Sequence, residues 1–159
     1  MIVSDAGPVI IFARIGRLSL LHEITGLLTI PAAVYAEIMA NNGSMPGASE
    51  VTQAVWIQRT IVANRSLSAA AALGLHAGEH EAIALAKERG AQLLMDEIRG
   101  RRLASQLGIG VIGTLRILAE AKRLGHLESV GPIVDEMRSS GYRFDRGLIR
   151  RFLEEVHEI

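Results

Sequence analysis

Strand-length apolar runs recur along this chain, and helix-length stretches separate them. Met1-Ile2-Val3-Ser4, Leu27-Leu28-Thr29-Ile30, the Trp56 to Val62 segment, Ala91 to Met95 and Ile109 to Ile112 are the strand candidates. Apart from Trp56 to Val62, which Gln58-Arg59-Thr60 interrupts, the runs are largely continuous rather than alternating, as strands covered on both faces require. Alternation with helices then predicts an α/β fold, a three-layer α/β/α sandwich around a mainly parallel sheet. Pro8 suits the first turn of a helix after Asp5, and further helices are expected over Leu18–Ile24, Ala32–Ala40, Leu67–Leu75 and Glu79–Arg89. Beyond these, Ile98–Leu107, Thr114–Leu124 and Val130–Arg138 read as helices, and Asp145 can cap a last one with Leu148, Ile149, Phe152, Leu153 and Val156 on its apolar line. Asn41 to Gly47 reads as a loop.

With 159 residues and no linker-like tract, the chain reads as a single domain, residues 1–159, with the helices from about 129 to 159 appended to its core. Zero formal net charge removes any global field for a polyanion, although six Lys or Arg fall between Arg99 and Arg123 against one acid, Glu120. Cysteine is absent, which excludes disulfides and thiolate chemistry and makes the cytoplasm the default. No apolar stretch has transmembrane length, so no membrane association is expected. Few aromatics (Phe 3, Tyr 2, Trp 1) argue against a base-stacking platform.

Four acids occupy positions that would otherwise be apolar or small. Asp5 closes the first strand and Asp96 closes Gln92-Leu93-Leu94-Met95, so both fall at the carboxyl edge of a parallel sheet. Glu37 shares a helix face with Ala33, Val34 and Ala40, and Glu79 shares one with Ala82, Ile83 and Ala86. Each acid alone has an ordinary explanation, such as a helix-dipole partner. Four converging on one edge would repel one another unless a cation joined them. Oxygen-only ligation suits Mg²⁺ or Mn²⁺, which handle phosphate oxygens.

Two other chemistries share these residues. His76-Ala77-Gly78-Glu79-His80 matches the inverted zinc-protease signature H-x-x-E-H, but Gly78 disrupts the helix start, His76 falls in the preceding turn and His80 reads as an exposed helix residue. An aspartyl-phosphate mechanism at Asp5 calls for a second acid two residues later, and Gly7 supplies none.

Read in order, these segments resemble the PIN-domain superfamily of metal-dependent nucleases, and within it the VapC-like toxins of type II toxin–antitoxin systems. The resemblance runs through Val3-Ser4-Asp5-Ala6-Gly7-Pro8, Ile30-Pro31 with Val34-Tyr35-Ala36-Glu37, Gly78-Glu79-His80-Glu81-Ala82-Ile83, Leu94-Met95-Asp96-Glu97 with Arg101 to Ala104, and Gly108 to Thr114. It implies a ribonuclease that hydrolyses RNA phosphodiester bonds with Mg²⁺ or Mn²⁺. Asp5, Glu37, Glu79 and Asp96 would be the catalytic metal ligands, and Glu97 an additional or outer ligand. Arg101 would contact phosphate or support a ligand, and Thr114 would bond a ligand carboxylate or a phosphate. Glu81, about 200° around the helix from Glu79, is the weaker acid. Two positions depart from the pattern: Gly7, where many relatives carry a hydroxyl, and Glu97, where close relatives have Asp. An antitoxin-like protein partner and a homodimer are the implied assemblies. The alternative is a nuclease-like fold that binds RNA or protein without cutting.

Overall fold

The computed structural model describes residues 1–63 and 74–159. The expected helix over Leu67–Leu75 lies, but for its last two residues, outside them. Strand β1 (Ile2–Ser4) is the centre of the sheet, pairing Val3 with Thr29 on one side and with Leu93 on the other. Those partners belong to β2 (Leu28–Pro31) and β4 (Gln92–Leu94), and the edges are β3 (Ile57–Thr60) and β5 (Val111–Ile112). Strand order is β3-β2-β1-β4-β5, and every pair is parallel. Val3, Leu28, Ile30, Leu93 and Leu94 are fully buried, which is the use the uninterrupted apolar runs are put to.

Parallel neighbours need crossovers, and helices supply them. Between β1 and β2 run α1 (Ala6–Arg14) and α2 (Leu18–Thr25). Between β2 and β3 come α3 (Ala32–Ile38), the single turn α4 (Ala40–Gly43) and α5 (Ala48–Gln53). Helix α6 (Ala77–Arg89) leads into β4, and α7 (Ile98–Gln106) joins β4 to β5. The stretch expected as a loop from Asn41 therefore opens inside a helical turn. Helix α5 has no counterpart in the sequence reading, because Ala48 and Val51 are its only buried residues and leave little apolar period to see.

The order reverses at β1: β2 lies on one side and β4 on the other. In open parallel sheets the crevice beyond the strand ends at such a reversal is where ligands bind. Asp5 and Asp96 leave the sheet at that crevice.

The chain forms two compact units, Met1–Thr114 and Leu115–Ile159. The second holds most of α8 (Thr114–Arg123), with α9 (Gly131–Ser139) and α10 (Arg146–Glu155). Within it Glu158 accepts from Lys122 Nζ at 2.8 Å, Gly131 N at 2.9 Å and Val130 N at 2.8 Å. That carboxylate serves the start of α9, whose N-cap, Val130, has no side-chain acceptor. No helix among the described residues is long and apolar enough to cross a membrane.

Candidate active site

Asp5 is the N-cap of α1, with extended backbone at φ −72° and ψ 168°. An aspartate there ordinarily turns back to accept the N–H of the second or third helical residue. The third is Pro8, which has none, and the Asp5 side chain makes no capping bond. Glu97 and Asp145 occupy the same position on α7 and α10, and both do cap: Glu97 accepts from Gly100 N and Asp145 from Leu148 N. Asp5 is only 7% exposed, and its Oδ1 is buried with no hydrogen-bond partner among the described residues. Its main chain is fixed by Asp5 N donating to Leu94 O at 3.0 Å, which carries the β1–β4 ladder to the sheet edge.

Burial is the main force pushing the Asp5 carboxyl up to about 7 from its ordinary 3.8. The Ala6 N–H works against it, while the negative charges of Glu79, Glu37 and Asp96 raise it further. Asp5 therefore feels all three of the other predicted ligands. As they stand, no three His, Cys, Asp or Glu side chains among the described residues are close enough to hold an ion as a group.

Asp96 is held rigidly. Its Oδ1 accepts Thr114 N at 2.8 Å and its Oδ2 accepts Thr114 Oγ1 at 2.5 Å. Thr114 is fully buried, so its hydroxyl acts through Asp96. Gly113 makes this approach feasible, since a Cβ there would lie 2.9 Å from Asp96 Oδ1 and 2.8 Å from Arg101 Nη1. Arg101 in turn donates from Nη1 to Met95 O at 2.7 Å, which fixes its guanidinium beside the end of β4. Glu97 spends Oε2 on the α7 cap at 2.5 Å.

Glu37 and Glu79 meet at the start of α6. Glu79 accepts from His76 N at 2.9 Å, closing the first turn of its own helix. Glu37 is an exposed residue, not the sheet-facing one that its apolar neighbours suggest, since Val34 and Ile38 take the buried face of α3. Its carboxylate is nonetheless drawn against α6. Burial of that end and the charge of Glu79 raise its pKa, while the Gly78 N–H and His76 oppose the rise. A Cβ on Gly78 would lie 2.9 Å from Glu37 Cδ, so Gly78 lets the carboxylate reach the helix end. It sits inside the first turn of α6 and does not break it.

Glu81 is buried and accepts from Ala33 N at 2.9 Å. Pro31, the N-cap of α3, offers no side-chain acceptor, and Glu81 supplies it from α6. Each helix thus has its amino end satisfied by an acid of the other. His76 is the N-cap of α6, outside the helix, so the two histidines of H-x-x-E-H do not share a helical face as zinc chemistry requires. His80 is half-buried rather than exposed as a plain helix-surface reading expects, and its Nε2 is buried without a hydrogen-bond partner among the described residues.

The donor set at the crevice is oxygen only, and the unpartnered Asp5 Oδ1 supplies a buried acceptor with nothing to accept. Both fit a hard divalent cation. Residues 1–158 match the family described as DUF3368: PIN domain. No curated protein and no solved structure matches the chain. The family match spans nearly all of the sequence and agrees with the parallel sheet and the acids at its reversal, and this chain belongs to the PIN-domain family.

Proposed function

We propose that this PIN domain is a metal-dependent ribonuclease that hydrolyses RNA phosphodiester bonds with Mg²⁺ or Mn²⁺. PIN domains are generally nucleases, and one observation supports activity most directly. A carboxylate oxygen at the sheet reversal is buried, unpartnered and surrounded by the charges of three further acids. Asp5 is the anchoring ligand in this reading, with Glu37, Glu79 and Asp96 completing the set and Glu97 outside it.

A divalent cation supplies charge stabilisation at the phosphoryl oxygens and acidifies water. The protein's own part is positional. Thr114 fixes both oxygens of Asp96, so that ligand loses little freedom on binding. The Met95 carbonyl holds one Arg101 nitrogen and leaves the rest of the guanidinium for a phosphate. Ile98, Arg101, Arg102, Ser105 and Gln106 line an open groove of about 380 Å³ along α7, the helix that follows Asp96 in the chain. Arg101 and Arg102 give that wall the sign a polyanion needs.

Incubation of the purified chain with a pool of structured RNAs, with Mn²⁺ or Mg²⁺ and then EDTA, tests the reading. Cleavage should require the ion and vanish in Asp96→Asn. Cleavage that survives Asp96→Asn would end the proposal. A second reading, an RNA- or protein-binding module without turnover, draws on the acids not being gathered into an ion-holding group among the described residues. Metal binding without cutting of any RNA would favour it. The finer part of the proposal is a VapC-like toxin, a homodimer in the cytoplasm with an antitoxin-like protein partner. It is supported by the order of motifs in the sequence, and its test is the mass of the chain in solution alone and after co-expression with the neighbouring reading frame.

A further inference from the structure

The six bases between Arg99 and Arg123 suggest a phosphate-binding stretch, but several are spent. Arg101 bonds Met95 O, Lys122 bonds Glu158 and the Val156 carbonyl, and Arg123 pairs with Glu120. A different set of cations is left open in the second unit, where α9 turns into α10. Gly141, at φ +97°, ends α9 with Gly141 N donating to Arg138 O at 3.0 Å and Tyr142 N to Met137 O at 3.1 Å. Those two bonds are a Schellman motif, which fixes the exit of the chain. Asp145 then caps α10, so the connection is pinned at both ends.

The pinned connection borders an open groove of about 560 Å³ lined by Arg138, Tyr142, Arg143, Phe144 and Arg146. Two of the chain's six aromatic residues meet here, the Tyr142 and Phe144 rings lying edge to face with centroids 5.0 Å apart. Arg143 and Arg146 are exposed and have no ion-pair partner among the described residues. Arg138 is 3.9 Å from Asp135, the one acid lining the groove, a pair too long and too exposed to neutralise it. Arg146 also opens α10, where a positive charge is disfavoured and where the first turn carries no acid.

We propose that this groove binds single-stranded RNA, with phosphates on Arg143 and Arg146 and a base against the Tyr142–Phe144 pair. The chain is too poor in aromatics for an extended stacking platform, but one ring pair suffices for a single base, and three guanidiniums beside half-exposed rings match a strand that offers both charge and π-faces. An acidic peptide would use the arginines and leave the rings without work. The inference rests on the reading of RNA as the substrate class, and it names a binding surface outside the acidic crevice.

The test uses the full chain carrying Asp5→Asn, so that binding is read without turnover, and a fluorescein-labelled 12-nucleotide RNA in EDTA. Arg143→Ala with Arg146→Ala should weaken binding at least about tenfold and lower the slope of log K against log salt by about 1.4, for two lost contacts. The paired Lys replacements should retain most of the affinity, and Phe144→Ala should lose several-fold where Phe144→Trp does not. An unchanged dissociation constant in the folded double variant overturns the proposal. So does loss of binding to polyglutamate with RNA binding intact, which would assign the groove to an acidic protein. The unsubstituted chain is assayed for cleavage in parallel. Binding through this pair without any cutting would sink the nuclease reading alone. Cutting with binding indifferent to the pair would sink this one alone.

Discussion

The first and last helices begin almost alike, Asp5-Ala6-Gly7-Pro8 and Asp145-Arg146-Gly147-Leu148, yet the two aspartates do opposite things. Asp145 is exposed and closes α10 by accepting Leu148 N at 2.9 Å. Asp5 is buried, meets proline where the other meets leucine, and is left with an oxygen that has no partner among the described residues. An N-cap acid normally contributes about 1 kcal/mol to its helix. At Asp5 that contribution is forgone, and a carboxyl titrating near 7 is retained at the sheet reversal instead. A residue that costs its fold stability and gives no local return is the kind that function keeps.

The largest expected effect comes from removing the charge. Asp5→Asn should cut ion-dependent RNA cleavage by at least about a hundredfold, measured with a labelled substrate. The same variant should be more stable than the parent at pH 8. A folded carboxyl raised from 3.8 to about 7 carries no penalty well below pH 3.8, where both states are protonated, and a growing one as pH rises to 7. The full penalty is on the order of 4 kcal/mol, and melting temperatures taken between pH 4 and 8 should diverge accordingly. Parallel melting curves for the two proteins would refute it. Next comes Pro8→Ala, which restores an N–H at the third helical position. Asp5 should turn to cap α1, titrate lower by carbon-detected NMR, and slow cleavage by about tenfold. An unmoved Asp5 titration would show that proline is not what keeps the oxygen open. Gly78→Ala should cost about 1–3 kcal/mol in urea unfolding, because its methyl would displace the Glu37 carboxylate. The smallest effect belongs to Asp145→Ala, about 1 kcal/mol, with amide exchange accelerated only in the first turn of α10.

Much of the fold was legible because buried parallel strands and amphipathic helices leave periods that a reader can count. The five strands fall within a residue or a few of the apolar runs, and Leu28 to Ile30 lies in the structure as its sequence suggests. Helix α5 escaped because two buried residues make no period. In the site, Asp5 and Asp96 were readable as strand-end acids, and their closeness follows from parallel pairing. Glu81 was not readable in the same way. Angular spacing along its own helix says where it points but not that Ala33 N waits there, 48 residues away in sequence. Gly78 was misread as a disruption, since its purpose is set by Glu37 on another helix. Pro8 was the one missed signal that lay in plain view, three residues after an aspartate that it keeps from capping.

The crossed arrangement of Glu37 and Glu81 changes how mutational data on this protein are to be interpreted. Shortening Glu37 to alanine would remove a candidate ligand and, at the same stroke, loosen the first turn of α6 that carries Glu79. Lost turnover in that variant would report both events together. Glutamine at position 37 keeps an oxygen for the Gly78 amide while giving up the negative charge, and so isolates coordination from scaffolding. Alanine at 81 offers the complementary control, removing the acceptor of Ala33 N and with it the tether between the two helices without subtracting an acid from the crevice.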